Sequence, residues 1–310
     1  MANTATALRR QIGSASDLKS VVRTMKASAA SAIGQYESAV AALGDYARTV
    51  EQGLSVCLRS VDPKGLHGQA PSRRADDTPV QAIVFGSDQG LVGRFNEVVV
   101  EHAMAHLGSL PAKARVWAVG ERVLARLLDA GLSPAGSFLV PGSVELVTRL
   151  VGQILLEVQT PERESAGEAQ GQAQNEGLML FYNRPTGASY EPVSQRLLPL
   201  DERWQRELAS RPWPSPSPPL PEVLGNGPEV LRAFVREHLF VSLFRASAES
   251  LASENASRLA AMQRADRNIG ELLTDLGARF HRMRQSGIDE ELFDVVAGFD
   301  AMAPQTMPGG

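Results

Sequence analysis

Residues 21–61 read VVRTMKASAASAIGQYESAVAALGDYARTVEQGLSVCLRSV. The apolar positions Val22, Met25, Ala29, Ala32, Tyr36, Val40, Leu43, Ala47, Val50, Leu54, Cys57 and Val61 follow one another in steps of three and four. That spacing is a heptad held for more than five repeats, the pattern of a coiled coil. Leu8, Ile12 and Ala15 continue it backwards, so the arm runs from about Thr4 to Val61. As one helix it would span roughly 87 Å at 1.5 Å per residue.

The prolines mark where this pattern stops. None precedes Pro63 and none lies between Pro228 and Pro304, while 17 of the 19 fall from Pro63 to Pro228. Proline inside a helix costs about 3 kcal/mol, so the two proline-free arms are two long helices. The second arm starts after Pro228 and runs to about Gly298. Its stripe is Asn255, Leu259, Met262, Asp266, Ile269, Leu273, Leu276, Phe280 and Met283. Asn255 and Asp266 are its polar members, in a setting where polar residues fix register. Each arm alone would expose its stripe. Packing on each other, antiparallel because a domain joins them, covers both; the alternative is two separate helices folded into a bundle.

Between the arms, apolar runs alternate with helical patterns. Strands are expected at 80–85, 115–119, 138–140 and 178–182, with a ragged fifth near 193–197. Helices are expected at 94–107, 121–129 and 143–159. This order predicts a mainly parallel sheet in a small Rossmann-like domain. Residues 66–78 and 161–177 read as loops, the latter mobile, and 211–221 as a polyproline spacer. The fold class is therefore α/β: a long antiparallel coiled coil of N- and C-terminal helices with an inserted small Rossmann-like α/β domain. The divisions are an N-terminal helix at 1–62, the α/β domain at 79–200, a proline-rich linker at 201–228 and a C-terminal helix at 229–303.

Composition narrows the function. The 310 residues are 43% hydrophobic and 21% charged, which fits neither a disordered chain nor a membrane protein. A formal net charge of −4 argues against a chain devoted to neutralising nucleic-acid phosphates. The single cysteine, Cys57, excludes an internal disulfide and a Cys-clustered metal site. No run approaches the ~18 apolar residues of a membrane span, and MANTATALRR has no apolar core of a secretory signal.

Catalytic patterns are sparse. Gly86, Gly90 and Gly93 follow the first strand as GxxxGxxG, which is a tight strand-to-helix turn and not the dinucleotide fingerprint GxGxxG. No GxxxxGK[ST] P-loop occurs. His102 and His106 are four apart on a helix, but outside any HExxH motif they read as a half-buried pair. Cys57 lies on the heptad stripe as a small buried residue. Asp289, Glu290 and Glu291 are sequential and fan around a helix as a solvated face. The residues describe a mechanical or interaction protein. The alternative is an independent α/β nucleotide-binding module, or an enzyme, with a coiled-coil oligomerisation arm.

The second arm then becomes specific. Ser253-Glu-Asn-Ala-Ser-Arg258-Leu-Ala-Ala-Met262, Asn268, Arg282-Met-Arg284-Gln285-Ser-Gly-Ile288, Glu291-Leu and Gly298 resemble the C-terminal signature of the gamma subunit of rotary F-type ATP synthases. Ile12-Gly-Ser14 and Val21-Val-Arg-Thr-Met25-Lys26 are similar to that family's first helix. Ser87-Asp88-Gln-Gly90-Leu91-Val-Gly93-Arg-Phe-Asn96 is similar to its middle motif, and Asn183-Arg-Pro with Leu197-Leu-Pro199-Leu to its last strands. Departures include Gly13, Ala15, Asp17, His281 and Asp289, a middle motif without its Arg, Cys and one Gly, and the spacer at 211–221. These resemble a divergent branch such as the alternate N-type ATPases.

The resemblance implies a central-stalk rotor with no catalytic residues or cofactor of its own. Its expected partners are the alpha and beta subunits, the epsilon subunit and the ring of c subunits, at the cytoplasmic face of the bacterial inner membrane. It implies that Met25 and Lys26 meet one beta-subunit loop. Arg284, Gln285 and Glu291 would form a polar catch on another, with Asp289 at a position usually held by Thr. The apolar last turns, Leu292, Val295, Val296, Phe299 and Met302, fit a greasy sleeve for rotation or packing against the first helix.

Overall fold

The computed structural model describes residues 2–60, 79–110, 114–159, 177–187, 189–213 and 221–302. The expected loops at 66–78 and 161–176 lie outside the described residues, as do 214–220 of the proline-rich stretch. Eleven elements follow in order among the described residues: α1 (Ala2–Ser60), β1 (Val80–Phe85), α2 (Phe95–Leu107), β2 (Ala114–Val119), α3 (Glu121–Asp129), β3 (Gly136–Phe138), α4 (Val144–Gln159), β4 (Gly177–Thr186), β5 (Ser189–Leu198), α5 (Glu202–Ser210) and α6 (Gly227–Met302).

Both long helices form. Helix α6 takes in Pro228 because the first turn has no use for that residue's missing N–H; Asn226 accepts from the N–H groups of Glu229 and Val230 instead. The helix also passes through Gly298, an interior glycine costing only about 1 kcal/mol, and ends at Met302. The chain forms two compact units. One is drawn from residues up to Ser28 and from Leu259 onward; the other is Ala29–Arg258.

In the first unit, Ala15 and Val22 of α1 are buried with Met262 and Ile269 of α6, and Met25, Ala261, Ala265 and Leu273 pack around them. These are the heptad positions of both stripes. Lys26 faces Asp266, the Lys19 ammonium lies beside Gly270, and Arg9 lies over the Phe280 ring at 6.0 Å. Numbers fall along α1 as they rise along α6, so the helices are antiparallel.

In the second unit the sheet has order β3-β2-β1-β4-β5. β1 pairs in parallel with β2 and β4, and β2 in parallel with β3. All six residues of β1 are buried, which requires cover on both faces. Ile83 and Phe85 join Val147, Leu150 and Ile154 of α4 and Leu239, Leu243 and Leu251 of α6. The alternate residues Ala82 and Val84 join Val99 and Ala103 of α2 and Val123 and Leu127 of α3. The period-2 alternation of a strand thus separates two cores.

Three details depart from the sequence pattern. β3 lies at Gly136–Phe138, slightly before the expected 138–140. β5 is a ten-residue strand antiparallel to β4, carrying Pro192 opposite Asn183; proline is tolerated because β5 is the sheet edge. The stretch read as linker at 201–228 holds α5, whose Leu208 is buried with Leu54, Cys57, Leu58 and Leu231. Asp201 caps α5 by accepting from the N–H groups of Arg203 and Trp204. Ser55 Oγ donates to the Leu208 carbonyl at 2.9 Å, fixing the helix on α1.

Candidate functional site

A doubly wound sheet offers its ligand crevice beyond the strand C-termini, where the strand order reverses. Here that point lies between β1 and β4, and the chain fills it with its own side chains. The Ser87 N–H donates to Asn96 Oδ1 at 3.0 Å, and Asn96 Nδ2 returns a bond to Ser87 Oγ at 2.9 Å. Asp88 accepts from the N–H of Glu121 at 2.9 Å and of Val140 at 3.0 Å. Asn183 Nδ2 donates to the Phe95 carbonyl at 2.9 Å. The turn bearing Gly86, Gly90 and Gly93 is therefore a clamp joining β1, α2, α3 and the segment after β3. Gly120 shows how tight it is. Its φ is +117°, and a Cβ there would sit 2.7 Å from the Ser87 carbonyl oxygen.

Helix α6 seals this clamp with its signature residues. Ser253 Oγ donates to the Asn183 carbonyl at 3.0 Å, and Ser257 Oγ donates to the Val92 carbonyl. Glu254 and Arg258 pair one turn apart on the same helix, with side chains only 6% and 13% exposed. Burial pushes the Glu254 carboxyl up, and Arg258 pulls it partly back. Asn255 donates to the Leu251 carbonyl and accepts from Arg258 Nη1, so both its partners lie on its own helix. It does not bridge the seam as its place on the stripe suggested. Sequence spacing gives a residue's face but not the partner its amide selects.

The other candidates sort in the same way. The His102 and His106 rings lie edge-on to Phe181 at 6.2 and 5.7 Å. Burial, with His106 nearby, holds His102 below its usual pKa. Among the described residues no three His, Cys, Asp or Glu side chains converge as a metal site. Cys57 is buried among leucines, and burial pushes its thiol up, away from the reactive thiolate.

The six residues expected to contact partners fall in two patches of the first unit. Met25 is half-buried against the helix seam. Lys26 Nζ is 2.9 Å from Asp266 Oδ2, with Arg23 on the same carboxylate at 3.8 Å. Sequence reading placed both residues on the arms but missed that they pair. Arg284, Gln285, Asp289 and Glu291 are all exposed on α6. Arg284 lies about 27 Å farther along that helix than Asp266, at ~1.5 Å per residue. Beyond them Leu292, Phe293, Val295 and Val296 also face water, so these four residues do not pack against α1. Phe299 and Met302 have side chains outside the described residues.

A family model described as ATP synthase matches residues 4–302. The ATP synthase gamma chain of Caulobacter vibrioides is 26% identical over 299 residues, covering 95% of this chain and 98% of that one. The gamma chain of Moorella thermoacetica is 24% identical over 307 residues, with the same coverage. Among solved structures, a chain of the Euglena gracilis mitochondrial ATP synthase (OSCP/F1/c-ring, rotational state 3) superposes with a TM-score of 0.63 at 16% identity. It covers 100% of this chain and 98% of its own. A chain of the rotor of the same enzyme gives 0.57 over 93% of this chain. No helix among the described residues is long and apolar enough to cross a membrane. With a match that spans both long helices and the sheet between them, the chain belongs to the ATP synthase family, as a gamma subunit of the central-stalk rotor.

Proposed function

We propose that this chain is a non-catalytic rotor that couples ion flow through a membrane c-ring to nucleotide chemistry on neighbouring beta subunits. Its first unit would contact the alpha/beta hexamer, and its second unit the c-ring and the epsilon subunit. In a bacterial cell it would lie at the cytoplasmic face of the inner membrane, held there through the complex. Turning an asymmetric stalk changes which beta subunit each stalk face meets. A mechanical angle then biases each site among states of different nucleotide affinity.

The observation that carries this reading is the surface at the far end of α6. Leu292 and Phe293 are 62% and 72% exposed, with Val295 and Val296 beside them. A contiguous apolar patch in water marks a partner surface. Arg284 and Gln285 supply donors next to it, and Glu291 an acceptor. Asp289 can only accept where the family's threonine donates. The second reading, an independent nucleotide-binding module, loses its site to the side chains of Ser87, Asn96 and Asn183, which occupy the crevice.

The test is the double variant Arg284→Ala with Gln285→Ala in the assembled complex. Coupled ATP turnover should fall while the variant subunit keeps its helix content. Unchanged coupling would remove the polar catch from the proposal.

A further inference from the structure

We propose that the second unit carries, beneath α5, a binding site for a small phosphate-bearing molecule. The cavity measures about 350 Å³, within the range of small-molecule sites. It is lined by residues of α1, β4, β5, α5 and α6. Val50, Leu197 and Val241 give it apolar walls, while Arg184, Arg196, Arg245 and His238 bring positive or donor groups to it. A bare ion would leave the apolar part empty, so the fitting ligand is an organic body with a phosphate at one end.

The lining carries three arginines against two carboxylates. Both carboxylates are committed. Asp201 accepts from the N–H of Arg203 at 2.6 Å and of Trp204 at 3.1 Å. Glu51 accepts from Arg211 Nη1 at 2.8 Å. Arg184 is steadied by Glu249 at 3.2 Å and donates to the Tyr182 hydroxyl at 2.7 Å. Arg245 is exposed, and among the described residues no carboxylate lies within ion-pair distance of it. Arg196 of β5 also borders the cavity but has an interaction of its own, so Arg245 carries the proposal.

Guanidinium groups match phosphate through paired N–H donors, and several of them suit a dianion better than a single carboxylate. His238 stacks on Trp204 with ring centroids 4.9 Å apart, which fixes its ring beside Arg245 at the wall. Burial, with Arg245 adding to it against Glu51, holds His238 neutral at pH 7. It can therefore donate one N–H without adding a charge that must be desolvated. None of these residues belongs to the helix seam or to the exposed end of α6, so the site is separate from the surfaces proposed to meet the alpha/beta hexamer.

The experiment is calorimetric titration of the full chain with inorganic pyrophosphate as probe. Saturable one-to-one binding is expected, weakened at least tenfold by Arg245→Gln and unchanged by Arg267→Gln in the other unit. No saturable binding would overturn the proposal, as would equal affinity in Arg245→Gln. Equal weakening by Arg267→Gln would overturn it too, because it would reveal only diffuse surface charge. A flotation arm uses phosphatidylcholine vesicles carrying phosphatidic acid. No retention is expected; retention abolished by Arg245→Gln would assign the cavity to a lipid headgroup and contradict the small-molecule site.

Discussion

The Lys26 ammonium lies 2.9 Å from the Asp266 carboxylate, closing an ion pair across the helix seam between residues 240 apart in sequence. Its hydrogen bond to Lys26, with Arg23 and Lys19 nearby, holds the Asp266 carboxyl below the usual carboxylate range. The stabilisation is therefore complete above the unfolded value of about 3.9 and is lost as pH falls through the lower folded value. Asp266→Asn should lower the melting temperature at pH 7, and the gap from the parent should close on acidification below pH 4. High salt should narrow it as well. A gap independent of pH would mean that packing, not charge, holds this point of the seam.

Gly120→Ala tests the clamp at the end of β1. The φ of +117° disfavours a side chain, and the added Cβ would press on the Ser87 carbonyl. Backbone strain of this kind costs about 1–3 kcal/mol. Urea denaturation should show a loss of at least that size, while Gly131→Ala, whose φ of +82° carries similar strain but whose Cβ meets open space, should lose less.

Asn183→Ala should also cost about 1 kcal/mol, because it removes the bond from Asn183 Nδ2 to the Phe95 carbonyl that ties β4 to α2. Ser253→Ala removes one bond between α6 and β4 and should cost about 1 kcal/mol. Hydrogen exchange would localise both effects. Faster exchange in α2 and β4 is expected, with the seam around Met262 unaffected.

Stability should fall as pH drops from 7.5 to 5.5. His238 has a folded pKa depressed chiefly by burial, so below about 6.5 the unfolded chain binds a proton that the folded chain resists. His102 is depressed for the same first reason and acts in the same direction. Melting curves of His238→Gln should show a flatter pH dependence across this window than the parent. An unchanged slope would mean that other groups set it.

The parts most legible in sequence were those where one physical rule decides. Proline-free heptads gave α1 and α6, and short apolar runs gave β1 and β2, because burial on both faces leaves no polar alternation. Edge strand β5 was seen only in part, since its proline and half-buried residues resemble a loop. Helix α5 was missed between prolines, although Trp204 and Leu208 stand four apart behind the capping Asp201. The proposed partner-contact patches rest only on resemblance to a family. An exposed Arg284 or Glu291 carries no mark in spacing that separates a contact from a solvated face. The Lys26–Asp266 pair was out of reach because it needs the register of two helices joined by the whole sheet.

The most direct test of the rotor assignment is rotation itself. Cys57 is 1% exposed, so Leu139→Cys on the surface of the second unit can be labelled selectively and tethered to a bead. The complex would be assembled with its alpha and beta subunits fixed to glass. ATP should drive the bead in one direction, stopping when ATP is removed. A complex that hydrolyses ATP while the bead only fluctuates would contradict the rotor assignment.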